Sequence, residues 1–171
     1  HGDRAELEVH TELIGPMTAV IHTLYDAEGS RVAQGGDGVL IIRGAKLWSD
    51  AHPYLYTLKS QVMLPSGAAD EVVTRVGLRT IEVDAARGLR INGEPVKLRG
   101  GCIHHDNGPL GAVSDIGLDR RTLTKLKAAG YNAVRCAHNP PSTALLDACD
   151  ELGVYVIDEA FDAWREGKRP F

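Results

Sequence analysis

Ala128-Ala129-Gly130-Tyr131-Asn132-Ala133-Val134 and Glu151-Leu152-Gly153-Val154-Tyr155-Val156-Ile157 repeat one local plan: a helix end, a glycine, and a short apolar strand. Glycine tolerates the left-handed conformation that closes a helix, and the branched residues after it suit a buried strand. Upstream of the first copy, Asp119 is placed to cap a helix running to Ala129, with Leu123 and Leu126 on one face. Upstream of the second, Ser142 is placed to cap a helix with Leu145, Leu146, Cys149 and Leu152 inward. With Val96–Ile103 read as a strand before the first helix, Tyr131–Cys136 between the helices and Val154–Asp158 after them, the order is β-α-β-α-β. That order predicts parallel strands joined by right-handed crossovers.

Working back towards the N-terminus, the pattern changes near Ala85. Leu89-Arg90-Ile91 leads into Asn92-Gly93, a strong hairpin signal, and the chain returns through Val96–Arg99. Before that, no helix is apparent. Ala5 to Ile14 alternates, with Leu7, Val9, Thr11 and Leu13 facing one way. Further strands are expected at Thr18–Tyr25, Gly38–Arg43, Tyr54–Leu64 and Asp70–Val83. Glu28-Gly29-Ser30, Gln34-Gly35-Gly36-Asp37 and Pro65-Ser66-Gly67 mark turns between them. Several strands without intervening helices predict an antiparallel sandwich. Two domains are therefore expected, 1–86 and 87–171. A parallel sheet needs both faces covered and three strands cannot close a barrel, so further chain after Phe171 is expected.

Composition sets broad limits. The 171 residues are 43% hydrophobic and 25% charged, with a formal net charge of −4. That balance gives no basic footprint for nucleic acid or anionic lipid, and no apolar run approaches the roughly 20 residues of a membrane span. His1-Gly2-Asp3-Arg4 carries no signal-peptide pattern; a cytoplasmic location is expected if the whole protein has no leader. Cys102, Cys136 and Cys149 are odd in number and lack CxxC spacing, so buried free thiols in a reducing compartment are expected.

Ionisable residues collect after each of the three parallel strands: His104, His105 and Asp106; Arg135 and His138; then Asp158, Glu159, Asp162 and Trp164. In parallel α/β architectures such strand ends share one rim. His104, Asp106 and His138 could hydrogen-bond sugar hydroxyls, Arg135 could keep a carboxylate ionised, and Trp164 could stack on a sugar ring. Purely structural roles compete with these. His105 is better read as a structural hydrogen bonder, Arg135 could pair with Asp158 or Glu159, and Trp48 is expected in the sandwich core. A zinc site built from His104, His105, Asp106 and His138 is disfavoured, because neighbouring residues on a strand point in opposite directions.

Leu47-Trp48-Ser49-Asp50-Ala51-His52-Pro53-Tyr54-Leu55-Tyr56 resembles the LWSxxxPxLY segment of glycoside hydrolase family two, the β-galactosidase family. Gly77-Leu78-Arg79-Thr80-Ile81-Glu82-Val83 resembles the end of its immunoglobulin-like domain, and Ile91–Gly100 its entry into the barrel. Ile103-His104-His105-Asp106 resembles the first barrel strand end, Asn132-Ala133-Val134-Arg135-Cys136-Ala137-His138-Asn139-Pro140 the NxVRxxHxP signature, and Asp158-Glu159-Ala160-Phe161-Asp162 the third strand end.

The resemblance implies an immunoglobulin-like antiparallel β-sandwich followed by the first three strands of an incomplete (β/α)₈ TIM barrel. It implies a retaining β-glycosidase, with a β-galactoside as the expected substrate or, failing that, another β-glycoside or oligosaccharide. By resemblance His104 and His138 line the sugar site, Arg135 sits beside the nucleophile, and Asp106 and Glu159 lie near the same pocket. The family's nucleophile and acid/base, two glutamates about 5 Å apart, fall on later barrel strands. No Asn-Glu dipeptide occurs here, so neither catalytic glutamate is expected in this chain, and the chain alone is expected to be inactive. Where some members bind magnesium, Ala163 and Arg165 stand here, so neither a metal site nor a cofactor is expected. Association through the exposed face of the incomplete barrel is expected. A non-catalytic binding module built on the sandwich is the alternative.

Overall fold

The computed structural model describes residues 4–15, 19–163 and 165. By contacts the chain divides into two compact units, 1–48 with 54–80, and 49–53 with 81–171.

Among the described residues the first unit is an antiparallel β-sandwich of six strands: β1 (Arg4–Val9), β2 (Ala19–Tyr25), β3 (Arg31–Gly35), β4 (Gly38–Arg43), β5 (Tyr56–Leu64) and β6 (Gly67–Val76). One sheet has the order β3-β2-β5-β6, and β1 pairs with β4 in the other. Alternation makes the core: on β4, Leu40 and Ile42 are buried while Val39 and Ile41 face out. They meet Leu24, Tyr56 and Leu58 of the larger sheet, together with Leu78. The strand expected over Ala5–Ile14 stops at Val9, where its ladder ends on Gly38, the first residue of β4. β3 was not among the expected strands, and Gln34 and Gly35 at its end were expected in a turn; the segment is held as a strand by pairing with β2. Trp48 is 1% exposed, as expected for a core residue. Its ring lies against Gly77, where a Cβ would come within 2.9 Å of Trp48 Cδ1, and under the Arg79 guanidinium at 4.5 Å.

A buried polar knot also holds this unit. His22 is fully buried on β2. Its Nδ1 lies 2.8 Å from Ser60 Oγ, and its Nε2 lies 2.8 Å from Asp37 Oδ1 and 3.2 Å from Thr11 Oγ1. The hydrogen bond to His22, then that to Thr11, holds the Asp37 carboxyl below its ordinary value of 3.8. A depressed carboxyl stabilises the fold above its unfolded pKa, and that stability is lost as pH falls through the folded value. The stability advantage of the wild type over Asp37→Asn is therefore expected to be full above 3.8 and to shrink as the pH drops below it. Urea midpoints of both proteins across that range check this; a pH-independent difference would refute it.

The second unit opens with an antiparallel meander, β7 (Ile81–Asp84), β8 (Gly88–Ile91) and β9 (Glu94–Pro95). Asn92 (φ 53°) and Gly93 (φ 81°) form the tight turn of the expected hairpin, whose return strand is Glu94–Pro95 rather than Val96–Arg99. The strand expected over Asp70–Val83 is broken: β6 ends at Val76, Leu78 enters the sandwich core, and β7 turns to pair with β8. The contact boundary lies at 80/81, whereas the change of pattern near Ala85 pointed to 86/87.

There follow β10 (Gly100–Ile103), α1 (Ile116–Ala128), β11 (Ala133–Cys136), α2 (Thr143–Leu152) and β12 (Tyr155–Ile157). The sheet order is β10-β11-β12, all parallel. The strand expected from Val96 starts only at Gly100, which lies so close to β11 that a Cβ there would meet Ala133 O at 2.3 Å. Helix α1 starts earlier than expected. Asp115 is its cap, accepting from Gly117 N at 2.8 Å, whereas Asp119 is buried in the first turn and accepts from Ser114 Oγ at 2.5 Å. Ser142 caps α2 as expected, accepting from Leu145 N at 3.1 Å.

The helices cover one face of the sheet, where Val134, Cys136, Val154 and Ile103 pack on Leu123, Leu145, Ala148 and Cys149. Leu146, expected inward, is 37% exposed; Ala148 takes the contact, because the stripe runs Leu145, Ala148, Cys149, Leu152. Burial pushes the thiols of Cys136 and Cys149 up to about 11 and about 12. Cys102, expected to be buried, is exposed, because it lies on the opposite face with Arg135 and Ile157.

Residues 49–53 fold onto this unit. Asp50 Oδ2 accepts from Asn132 Nδ2 at 2.9 Å, Oδ1 lies 3.2 Å from the Tyr155 hydroxyl, and the Asp50 carbonyl accepts from Lys127 Nζ at 2.6 Å. Gly153 (φ 70°) closes α2 directly beneath: a Cβ there would fall 2.5 Å from Asp50 O.

Candidate functional site

Register decides where the ionisable residues lie. Ile103 pairs with Cys136, and Ala137 N extends the ladder by donating to Ile103 O at 2.9 Å. His104 and His138, just beyond the ends of β10 and β11, therefore emerge at the same edge, with ring centroids 5.5 Å apart and a tilt of 58°. The Ala137–His138 peptide is cis.

The turn after β12 brings Glu159 to that edge. Its Oε1 accepts from Arg135, and its Oε2 lies 3.3 Å from His138 Nδ1. Asp162 Oδ1 stands 3.7 Å from the same nitrogen. One carboxylate thus holds a guanidinium on one oxygen and an imidazole on the other. The contact raises Arg135 above its ordinary value, Glu159 being the main cause. With carboxylates facing Nδ1, the ring hydrogen is favoured there, and Nε2 of a neutral His138 is then an acceptor. Arg135 and His138 remain half-exposed while Glu159 is 21% exposed, so the carboxylate forms the floor and the two bases the lip.

The other expected residues are placed differently. Asp106 turns back into its own loop, where Oδ1 accepts from Gly108 N at 2.8 Å. His105 adopts φ 43°, an uncommon conformation for a non-glycine residue, with Nε2 3.4 Å from Asn139 O. The structural role favoured for it fits that contact. With His105 and Asp106 turned away, His104, His105, Asp106 and His138 do not converge as zinc ligands, and among the described residues no group of three or more His, Cys, Asp or Glu is arranged to hold a metal. Trp164 lies outside the described residues.

Two residues carry more than their sequence positions suggested. Asp162 adds a second carboxylate to His138. Asn132, the first residue of the signature run, is 4% exposed, and its side chain ties Arg99 N, Asp50 and Lys97 O together at the start of β11. An asparagine opening a buried strand was the available signal: such a side chain must find partners for both ends of its amide.

Residues 2–79 match the family model described as glycosyl hydrolases family 2, and residues 81–163 match the model for the TIM barrel domain of glycosyl hydrolases family 2. A β-galactosidase of Bacteroides ovatus is 43% identical over 162 residues, covering 87% of this chain and 19% of the relative. A putative β-glucuronidase of Formosa agariphila is 39% identical over 161 residues, covering 94% of this chain and 15% of the relative. Among solved structures, a glycosyl hydrolase family 2 member from Bacteroides cellulosilyticus superposes with a TM-score of 0.84 at 40% identity, over 91% of this chain and 22% of that one. A β-glucuronidase from Ruminococcus gnavus in complex with D-glucuronic acid gives 0.84 at 33% identity, over 94% and 28%. The chain thus spans less than a third of the length of each of these proteins.

Proposed function

The chain belongs to glycosyl hydrolase family 2, an immunoglobulin-like sandwich leading into the first strands of a TIM barrel, and on that premise we propose that it supplies part of the sugar-binding rim of a retaining β-glycosidase whose substrate is a β-galactoside. The observation that carries this reading is the cluster of Arg135, His138 and Glu159, with His104 beside it, at the C-terminal edge of three parallel strands. Sites on this architecture gather at that edge.

The proposed roles rest on the contacts. Nε2 of His138 accepts a hydrogen bond from a sugar hydroxyl, and His104 binds a neighbouring hydroxyl. Glu159 fixes the ring of His138 and the guanidinium of Arg135, so that neither must be ordered when substrate arrives. Arg135 uses two of its nitrogens on Glu159; its remaining N–H donors serve a carboxylate that has to stay ionised, which is the need of a glycosidase nucleophile. Asp106 supports the first loop through its bond to Gly108. Glu159 is a positioning residue: a carboxylate already bound to a guanidinium and an imidazole is a poor nucleophile.

Retention requires a nucleophile and an acid/base about 5 Å apart, and among the described residues this rim presents no such free pair. The 171-residue chain by itself is therefore expected to show no turnover of nitrophenyl β-galactoside above the uncatalysed rate, and measurable turnover would contradict the assignment of roles. Assayed on nitrophenyl β-galactoside and β-glucuronide, the whole protein is expected to prefer the galactoside and to release the β-anomer first. Hydrolysis of neither would remove the reading. A preference for the glucuronide would keep the reaction class and exchange the sugar, as the β-glucuronidase relatives also suggest.

A further inference from the structure

We propose that the outer edge of β6 is a self-recognition surface, through which two copies of this chain pair as antiparallel strands about a two-fold axis at Val73. β6 ends its sheet: it pairs with β5 on one side, and among the described residues no strand pairs with its other side. From Asp70 to Arg75 every residue is exposed, with Val72 and Val73 at 58% and 59%. The pairing with β5 is regular from Asp70 to Val76; its one register shift lies between Val62 and Met63, next to the β5–β6 turn. The stretch Asp70–Arg75 contains no proline and no lysine, two common devices that block edge pairing.

Its charge pattern selects a partner. Side chains alternate across the strand, so Glu71, Val73 and Arg75 share one face; they lie opposite Gln61, Lys59 and Thr57 of β5. Two identical strands related by a two-fold axis perpendicular to the sheet must place one residue opposite its own copy. Centred on Val72, that geometry sets Glu71 against Val73; centred on Thr74, it sets Val73 against Arg75. Centred on Val73, it joins Val73 to Val73 and sets each Glu71 against the other copy's Arg75. On the opposite face Val72 then meets Thr74. Of these three registers, only the last pairs opposite charges and keeps the apolar side chains together, and cross-strand pairs of both kinds are stabilising. Lys59 Nζ, 2.7 Å from Glu71, holds that carboxylate towards β5 and leaves it shared between two cations in the pair. A single strand pair buries less than a standard interface, so the association is expected to be weak and concentration-dependent.

Sedimentation velocity on the full chain tests this. The wild type is expected to pass from monomer to dimer as its concentration rises through about 100 µM. Val73→Glu and Val73→Lys each set like charges against one another and are expected to weaken dimerisation at least tenfold, while their equimolar mixture dimerises again as a heterodimer. Glu71→Arg mixed with Arg75→Glu is expected to behave likewise, since each pair lost between the two copies is rebuilt across the mixture. Circular dichroism confirms that every variant is folded, and the Val73 pair disturbs no ion pair within the chain. A wild type that stays monomeric, association that Val73→Glu and Val73→Lys leave unchanged, or mixtures no more dimeric than their components would each overturn the proposal.

Discussion

Arg135→Ala in the whole protein is expected to lower kcat/KM on a β-glycoside by about a hundredfold to a thousandfold, the range seen when a preorganised electrostatic group is removed from an active site, while leaving the unfolding midpoint nearly unchanged. The separation of the two effects makes the prediction informative. Arg135 is 46% exposed, and an exposed ion pair contributes roughly 0–1 kcal/mol to folding. On the proposed reading its contribution is therefore to the rim. Arg135→Lys is expected to recover little, since an ammonium cannot reproduce the planar fork that grips Glu159. Glu159→Gln keeps the shape but turns an amide or its carbonyl towards both Arg135 and His138, so it should raise KM through His138 as well as lower kcat. An Arg135→Ala enzyme with activity within about threefold of the wild type would show that the guanidinium has only a structural role.

Asn132→Ala carries the largest expected cost in stability, about 3 kcal/mol. The side chain is 4% exposed and makes three contacts: Oδ1 accepts from Arg99 N at 2.8 Å, while Nδ2 donates to Asp50 Oδ2 at 2.9 Å and Lys97 O at 3.3 Å. Truncation leaves partly buried partners unsatisfied, and each such group costs roughly 1–3 kcal/mol. Asn132→Asp separates the contributions. It keeps an acceptor for Arg99 N but replaces the donor with a carboxylate facing Asp50, so it should be no more stable than the alanine variant at neutral pH. Urea unfolding of the chain measures both; a loss below about 0.5 kcal/mol for Asn132→Ala, within the range of ordinary surface changes, would show that water or neighbouring groups replace these bonds.

The residues of the rim differ in how readable they were. Arg135 and His138 could be placed at one edge from sequence because a parallel ladder has one direction, and the residues closing each strand must emerge at the same end. The partnership with Glu159 was only one option among several, since Asp158 stands beside it and strand ends do not say which carboxylate turns inward. Asp106 shows the limit of that reasoning: it comes after its strand as His104 does, yet its carboxylate is taken by Gly108 N two residues on. A backbone donor that close in sequence competes effectively with a distant pocket.

Sequence alone determined what short-range chemistry dictates. Asn92-Gly93 turns the hairpin, Ser142 caps its helix, Gly130 and Gly153 end theirs, and the helix–glycine–strand repeat produces parallel strands, because in each case the physical cause lies within a few residues. Tertiary structure decided what depends on partners far along the chain. It set Asp50 beneath Asn132, closed His22 against Asp37 and Ser60, ended β1 where β4 runs out, paired β7 with β8, and left Cys102 exposed on the face of its sheet opposite the helices. Periodicity shows that a strand or helix has an apolar face; which neighbour covers that face, and which buried polar atoms must satisfy one another, is settled only when distant segments compete for the same space and the same hydrogen bonds.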